Sequence, residues 1–401
     1  MPAGVVDRAG IADRYARHRA IAGFSQDALR SSRFAVVGAG AIGNEVVKNL
    51  CLLGVGGIDV YDLDTVELHN LTRSVLLREA DLGAQKADCV ARRAREIDPS
   101  VDVVPVTGDI HDTLGVATVR GYRAVVGALD NFEARLRLNQ VCWLAGTDWV
   151  NAAIDSRHAT VETFPFGRVT PGDEPPACYE CGLPASVHQR IAARHSCGGL
   201  QRAAARQRTV PTTAITASIA GAFAVGRALA PGTGAERWLL DTVSGRASVA
   251  RLPSVPQCPA CADLPHAPPI VRLPDRGAGT LAAAARRAGA DPIRLSDPLV
   301  WRCACAACGP SDRTRGVELR PARTVSDAIM RCPDCNAESV RVEIRDFVEP
   351  DELRARFVEQ DLACGGPGTP VLARFALAAG LCFDLPASGA VPPIDRPGDP
   401  E

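Results

Sequence analysis

Residues 33–43 read RFAVVGAGAIG, an apolar run that leads directly into three glycines spaced as G-x-G-x-x-G. The apolar run predicts a buried strand, and the spacing of apolar residues in NEVVKNLCLLG at 44–54 predicts a helix. A glycine turn between a strand and a helix N-terminus lets phosphates approach backbone N–H groups. Gly38, Gly40 and Gly43 therefore predict a nucleotide site, although a tight turn that binds no ligand would show the same spacing.

The alternation of strand and helix patterns continues on the C-terminal side of this turn. Runs such as IDVYD at 58–62, VDVVPV at 101–106 and AVVGALD at 124–130 alternate with helical stretches. Alternation of this kind predicts an α/β fold with a Rossmann-like, doubly wound, mainly parallel sheet. Further elements are also predicted: a helix from Asn131 to Gly146, strands in DWVNAAID and HATVETFPF, and a helix capped by Thr212 or Thr213.

Composition excludes several classes of protein. The 401 residues are 46% hydrophobic, enough for a complete α/β core and a second, smaller unit. The net charge of −1 gives no excess of cationic side chains, so we expect neither nucleic acid nor a membrane as partner. The N-terminal residues lack the pattern of a secretory signal, and no stretch approaches the roughly 18 apolar residues of a membrane span. A cytoplasmic protein is expected.

Eight of the fifteen cysteines form four C-x-x-C pairs, which favours metal binding over a disulfide scaffold. Two pairs on either side of an irregular stretch could supply four thiolates to a structural zinc ion, and two later pairs resemble a zinc ribbon. Cys303 is an alternative ligand to Cys305 in the ribbon, and three cysteines on apolar helical faces are predicted to fill the core. The first set is Cys178, Cys181, Cys258 and Cys261, the second is Cys305, Cys308, Cys332 and Cys335, and the core cysteines are Cys51, Cys89 and Cys142.

The residues after the second predicted strand separate two families of nucleotide-binding protein. Asp62 lies about 20 residues beyond Gly43, where an acid usually meets ribose hydroxyls, and a dehydrogenase would share that feature. However, the run DLDTVELHNLTR at 62–73, followed by Lys86 and by ALDN at 128–131, strongly resembles the ThiF/MoeB/HesA and ubiquitin-activating superfamily. The resemblance spans roughly residues 10–262 and argues against a dehydrogenase.

The resemblance implies an adenylyltransferase that uses ATP to activate the C-terminal glycine carboxylate of a ubiquitin-like or sulfur-carrier protein. It assigns ribose binding to Asp62, triphosphate binding to Asn70, Arg73 and Lys86, and Mg²⁺ to Asp130. Asp64 and Asn131 belong to the same motifs and complete the predicted nucleotide site with the three glycines. The residue types suit the reaction independently, because a carboxylate that attacks a phosphate needs cations to reduce the repulsion.

An upstream element, Arg14-Tyr15-Ala16-Arg17, resembles the R-Y-x-R element of the same family. Its second arginine reaches the ATP of the partner subunit, so the resemblance gives Arg17 this role and implies a homodimer. His18 stands where the family usually has glutamine. The sequence therefore departs from the family pattern directly after Arg17.

Cys197 lies in RHSCGG at 194–199, within the irregular stretch that the resemblance identifies as a crossover loop at 182–211. In activating enzymes this loop carries the cysteine that takes the acyl group from AMP. Nearby cationic side chains, among them Arg194 and His195, could lower the pKa of the Cys197 thiol. We therefore predict a thioester on Cys197 and transfer to a conjugating enzyme.

Two alternatives to that function remain at this point. Adenylation could serve a sulfur carrier or a short peptide in cofactor or natural-product biosynthesis, without an enzyme thioester. A catalytically silent scaffold is the other alternative, and the complete set of nucleotide-site residues argues against it.

Four segments are predicted along the chain. A ThiF-type adenylation domain occupies residues 1–265, a linker rich in proline occupies 266–280, and a small zinc-ribbon-like module occupies 281–385. The last segment, 386–401, has few apolar residues and is predicted to be disordered.

Overall fold

The computed structural model describes most of the predicted adenylation domain and C-terminal module. The described residues are 14–169, 176–184, 186–187, 211–258, 260–262, 264–274, 278–289, 292–325, 327–356 and 374–386. Cys197, most of the predicted crossover loop and nearly all of the predicted disordered tail lie outside them. Within these ranges no helix is both long and apolar enough to cross a membrane.

An eight-stranded sheet forms the centre of the larger unit. Its strands are β1 (Arg33–Val37), β2 (Gly57–Asp62), β3 (Asp102–Thr107), β4 (Ala124–Gly127), β5 (Trp149–Ile154), β6 (His158–Phe164), β7 (Glu236–Asp241) and β8 (Ala247–Arg251). They are arranged in the order β3-β2-β1-β4-β5-β6-β7-β8. Strands β1 to β5 pair in parallel, and β6, β7 and β8 extend the sheet with antiparallel pairs. The predicted doubly wound, mainly parallel sheet is therefore confirmed.

Helices cover both faces of this sheet. They are α1 (Ala16–Arg19), α2 (Gln26–Arg30), α3 (Ala41–Leu53), α4 (Lys86–Ile97), α5 (Ile110–Thr113), α6 (Val116–Arg120), α7 (Phe132–Ala145) and α8 (Ala214–Leu229). Apolar residues of α3, α4 and α8 pack in one core cluster, and those of α5, α6 and α7 pack in a second. The result is a three-layer arrangement with one core on each side of the sheet.

The ends of the helices follow the capping residues in the sequence. Asn131 caps α7 by accepting a hydrogen bond from the Ala134 amide at 2.8 Å, and Gly146 ends the helix with a φ of 60°. Thr213 caps α8 through a 3.2 Å bond from the Thr216 amide. Both helices were predicted from these residues, and both predictions are confirmed.

A second sheet of five strands forms the smaller, C-terminal unit, in which the strand order is β11-β10-β12-β13-β9. The elements are β9 (Ile270–Arg272), α9 (Ala278–Arg287), β10 (Ile293–Cys305), α10 (Asp312–Arg315), β11 (Val340–Val348), α11 (Pro350–Arg356), β12 (Phe375–Ala378) and β13 (Leu381–Asp384). Strand β9 lies inside the segment predicted as a linker and pairs with β13. The boundaries at 265 and 280 remain predictions.

The C-terminal unit packs against the face of the large sheet that carries α6 and α7. Phe375 and Leu377 of β12 and Cys382 of β13 belong to the same core cluster as the apolar residues of those helices. The Asp384 side chain also accepts a 3.0 Å hydrogen bond from the Val116 amide at the start of α6. The two units therefore share one apolar core on this face.

Candidate functional site

The three glycines after β1 are present for different structural reasons. Gly38 has a φ of 98°, and a Cβ there would lie 2.4 Å from the Ala128 carbonyl oxygen. At Gly43 a Cβ would lie 1.8 Å from the Gly38 carbonyl oxygen. At Gly40, by contrast, φ is −77° and no described atom lies within 4 Å of a Cβ built there. Packing therefore requires Gly38 and Gly43, whereas Gly40 leaves bare backbone that a ligand can approach.

Asp62 lies at the carboxyl end of β2, directly beside this loop. Its two carboxylate oxygens accept hydrogen bonds from the Ala39 amide at 2.6 Å and the Asp64 amide at 2.8 Å. Burial raises the pKa of Asp62, and the two amides act in the opposite direction. The carboxylate is thus fixed at the edge of the glycine loop, where the predicted ribose contact requires it.

Lys86, the first residue of α4, reaches back to the segment that follows β2. Its Nζ lies 2.8 Å from the Asp64 carboxylate, and its backbone amide donates to the Asp64 carbonyl at 2.9 Å. Lys86 is buried, whereas the Asp64 side chain is mostly exposed. Asp64 therefore orients the ammonium group at the rim of the site.

Asn70 and Arg73 lie together on a short 3₁₀ helix, Leu68–Thr72, and its C-terminal flank. Asn70 is buried and its side-chain oxygen accepts from the Glu67 amide at 2.9 Å, which closes the turn. The Arg73 guanidinium donates to the His69 carbonyl at 2.6 Å and is only partly buried. Asn70 thus shapes the turn that presents Arg73.

Asn44 is a component of the site that the sequence analysis missed. This fully buried side chain donates to the carbonyls of Ala39 at 2.7 Å and Gly40 at 2.9 Å, and accepts from the Leu76 amide at 2.8 Å. It therefore ties the glycine loop to the segment that follows Arg73. A polar residue directly after the last glycine was the available signal.

Asp130 and Asn131 follow the carboxyl end of β4, on the other side of β1 from Asp62. Asp130 is exposed and, among the described residues, has no hydrogen-bond or ion-pair partner. The Asn131 side-chain oxygen is engaged as the cap of α7. Asp130 is thus a free carboxylate at the edge that carries the glycine loop, and oxygen ligands of this kind suit Mg²⁺.

Arg17 lies away from this edge. Tyr15 is buried, donates to the Asp98 carboxylate and covers Gly54 at the end of α3. Arg17 is two residues further on, is exposed and has no partner among the described residues. Because α4 runs from Lys86 to Ile97, next to Asp98, this anchor lies at the opposite end of α4 from Lys86, about 18 Å away. Arg17 is therefore not brought together with the other predicted site residues of its own chain.

The first predicted cysteine cluster is assembled. The sulfur–sulfur distances are 3.8 Å for Cys178–Cys181, 3.5 Å for Cys178–Cys258 and 3.5 Å for Cys181–Cys261. One zinc ion bound by four thiolates at about 2.3 Å holds the sulfurs about 3.8 Å apart, so the set fits zinc. The cluster attaches to α7 through Asn139, which accepts from the Tyr179 amide at 2.9 Å.

The second cluster is assembled within the C-terminal unit. Cys305–Cys335 and Cys308–Cys332 are 3.7 and 3.6 Å apart, and all four sulfurs lie within 4.8 Å of one another. The amides of Ala307 and Asp334 each donate at 3.4 Å to the first sulfur of a C-x-x-C pair. Such bonds stabilise thiolates, so this set also fits zinc. Cys303 is buried on β10 outside the cluster, which identifies Cys305 as the ligand.

The remaining described cysteines of the larger unit are core residues. Cys51, Cys89 and Cys142 are buried, as predicted. Burial raises the pKa of Cys51 to about 12, which makes its thiolate inaccessible at neutral pH. Cys197, the predicted acyl acceptor, lies outside the described residues.

Comparisons with known proteins identify the family of the chain. The ThiF family model matches residues 13–260. The SAMP-activating enzyme E1 of Haloferax volcanii is 36% identical over 176 residues, 43% of this chain and 62% of that protein. Molybdopterin-synthase adenylyltransferase of Salmonella typhimurium is 29% identical over 171 residues, 42% of this chain and 66% of that protein.

The chain thus spans less than two thirds of the length of these two relatives. Among solved structures, E. coli MccB with ATP is similar with a TM-score of 0.49 and 21% identity, over 63% of this chain and 75% of that chain. The match to the ThiF model extends over more than half of the residues, and the chain therefore belongs to the ThiF family.

Proposed function

We propose that this chain transfers AMP from ATP to the C-terminal glycine carboxylate of a ubiquitin-like or sulfur-carrier protein. The observation that carries the proposal is the convergence of four features at one edge of the sheet. The bare backbone at Gly40, the fixed carboxylate of Asp62, the oriented Lys86 and the exposed carboxylate of Asp130 all lie at or beside the carboxyl ends of β1, β2 and β4. Ligands of doubly wound sheets bind at this edge.

The reaction is an in-line displacement at the α-phosphorus of ATP. A carboxylate oxygen of the carrier forms a bond to the α-phosphorus, and the bond from that phosphorus to the bridging oxygen of the β-phosphate breaks. The electron pair leaves with pyrophosphate, and the product is an acyl adenylate. Because the attacking and departing groups are both anionic, the main task of the protein is electrostatic.

This chain supplies the charges for that task from two turns. Lys86 is held against Asp64 at the loop rim, and Arg73 projects from the 3₁₀ turn closed by Asn70. Asp130 would hold Mg²⁺, which when bound neutralises phosphate charge and stabilises the departing pyrophosphate. Asp62 would fix the ribose, so that the α-phosphate lies over the glycine loop.

Arg17 acts in this proposal on the ATP of a partner subunit. Its distance from the glycine edge of its own chain and its freedom from partners among the described residues both support action in trans. Arg14 and Tyr15 provide the rigid base, because they bind Ile97 and Asp98 at the end of α4. A homodimer is the simplest assembly in which each site receives an arginine.

We further propose that the acyl group then passes to the Cys197 thiolate, with release of AMP, and from there to a conjugating enzyme. The support is the sequence around Cys197, RHSCGG, in which Arg194 and His195 precede the cysteine within the predicted crossover loop. The relative in Haloferax volcanii is named as an E1 enzyme, and the relative in Salmonella typhimurium as an adenylyltransferase. Both a thioester-forming enzyme and an adenylyltransferase for a sulfur carrier, without a thioester, are thus compatible with the named relatives.

ATP–pyrophosphate exchange tests the adenylation step. The wild-type chain should catalyse exchange with MgATP and a β-grasp protein ending in glycine that is encoded in the same genome. Asp130→Ala should abolish exchange, whereas Asp27→Ala, which changes an exposed carboxylate on α2, should leave it unchanged. Full exchange by Asp130→Ala would remove this residue from the proposed site.

Non-reducing electrophoresis separates the two fates of the adenylate. Cys197→Ala should keep exchange and lose a thiol-sensitive adduct with the carrier, because exchange needs only the nucleotide site. An adduct that persists in this variant would assign the role to another cysteine. A wild-type chain that exchanges without any adduct would favour the sulfur-carrier or peptide alternative.

A further inference from the structure

A cluster of charges joins the C-terminal unit to the segment that follows β3. Arg323 lies on a 3₁₀ turn between the two C-x-x-C motifs of the second cysteine cluster. Its guanidinium donates to Asp109 at 2.9 Å and to Asp112 at 2.8 Å. It also donates to Asp297 of β10 at 3.0 Å. One guanidinium thus connects carboxylates of both units.

Asp297 and Arg137 form the buried part of the cluster, whereas Arg323, Asp109 and Asp112 are partly exposed. Asp297 is 5% exposed and lies within 3.8 Å of Arg137 on α7, which is 2% exposed, and 3.1 Å from the His111 ring. Because buried charges are stable only when they are paired and hydrogen-bonded, the groups must keep this geometry. This cluster forms a seam between the two units. The seam therefore fixes the position of residues 109–112 relative to the C-terminal unit.

The direction of a bound nucleotide follows from the order of the strands. The glycine loop follows β1, Asp62 ends β2, and β3 is the next strand in the order β3-β2-β1. Neighbouring strands are about 4.8 Å apart, so phosphates at β1 and ribose at β2 direct the base toward the end of β3. The Gly108 amide there donates to the Asp62 carbonyl at 3.1 Å, which brings the segment beside the ribose position.

Asp109 connects the seam to the shape of this segment. One of its carboxylate oxygens caps α5 by accepting from the His111 amide at 2.9 Å, and the other accepts from Arg323. The orientation of the α5 turn therefore depends on a side chain that the zinc-binding unit supplies.

We propose that Arg323 is a positioning residue for nucleotide binding: by holding Asp109 and Asp112, it fixes the segment against which the base of ATP lies. The C-terminal unit would thus be a structural part of the base-binding side of the site. This inference rests on the proposed function, because it assumes that a nucleotide binds at the glycine edge.

Calorimetric binding of two ligands by the full-length, zinc-loaded chain tests the proposal. MgATP has a base, whereas Mg-tripolyphosphate contacts only the phosphate region. Arg323→Ala should weaken MgATP binding about tenfold and change tripolyphosphate binding less than about twofold. In exchange assays the KM for ATP should rise while kcat is retained. Arg286→Ala, which removes an exposed ion pair with Asp351 in the same unit, is the matched control and should change neither affinity.

Two results would overturn the inference. One is unchanged MgATP binding by Arg323→Ala, and the other is an equal loss for both ligands, which would indicate general damage. If this variant does not fold, Asp112→Ala removes the acceptor of one of the three Arg323 hydrogen bonds and should show a smaller loss restricted to MgATP. A wild-type chain that binds tripolyphosphate but not MgATP, or neither, would instead refute the proposed function.

Discussion

Replacing Asp297 with asparagine would test how far the seam stabilises the C-terminal unit. The substitution keeps the shape of the side chain and removes the negative charge beside Arg137. Breaking a buried ion pair by removing one partner costs about 3–5 kcal/mol, because the remaining charge loses its compensation. Arg137 would keep its hydrogen bonds to the carbonyls of His111 at 3.2 Å and Ser296 at 3.3 Å, and Arg323 would keep Asp109 and Asp112. We therefore expect a loss at the lower end, about 3 kcal/mol.

Urea unfolding followed by tryptophan fluorescence measures this loss. Trp301 is buried in the C-terminal unit and contributes to the fluorescence change on its unfolding, alongside Trp143, Trp149 and Trp238 of the larger unit. A loss of about 3 kcal/mol should lower the midpoint of its transition by about 1–2 M urea. Asp351→Asn, which removes the carboxylate partner of the exposed Arg286 ion pair, should change the free energy of unfolding by less than about 0.5 kcal/mol. Equal midpoints for Asp297→Asn and wild type would refute the reasoning.

The pH dependence gives an independent check on the same group. Burial disfavours the Asp297 carboxylate, but Arg137, His111 and Arg323 outweigh it and hold its pKa well below the ordinary value of 3.8. A depressed carboxyl pKa adds stability that is complete above 3.8 and is lost as the pH falls toward the folded-state pKa. The difference in unfolding free energy between wild type and Asp297→Asn should therefore shrink as the pH falls below about 4.

Three further predictions concern the site and the cysteine clusters. Mixing Arg17→Ala with Asp130→Ala subunits should restore about a quarter of wild-type exchange, because half of the randomly mixed dimers contain one intact site; no recovery would argue for action in cis or for a monomer. Gly40→Ala should leave the unfolding midpoint unchanged and weaken MgATP binding, whereas Gly43→Ala should destabilise the fold, and equal stability losses would contradict the distinction drawn from their surroundings. Metal analysis should find two zinc ions per chain, and Cys305→Ser should reduce this to about one; one equivalent in the wild type would remove a predicted site.

Most of the larger unit could be predicted from the sequence because its signals are local. The apolar runs, the glycine turn and the capping residues Asn131 and Thr213 each determine the structure of their own neighbourhood. The cysteine clusters could be predicted for a different reason, since the C-x-x-C spacing is already the geometry of a metal-binding turn.

The features that could not be predicted depend on contacts between distant parts of the chain. Asn44 reads as one polar residue at a helix start, and only the fold shows that it joins two loops of the site. Arg323 and Asp109 have no pattern that relates them, because 214 positions separate them. The pairing of β9 with β13 likewise arises from the fold of the C-terminal unit and not from the short run IVR itself.

The two cysteine clusters have different consequences for a nucleotide site, because they attach to different elements. The first attaches through Tyr179 to Asn139 of α7, whose N-terminus follows Asp130. The second lies in the unit that supplies Arg323 to the segment after β3. Loss of the first zinc should therefore affect the Asp130 side of the site, and loss of the second should affect the base side. In the proposed reaction the carrier carboxylate attacks at the α-phosphate, between these two sides, so each cluster would contribute to catalysis by holding one end of the nucleotide in place.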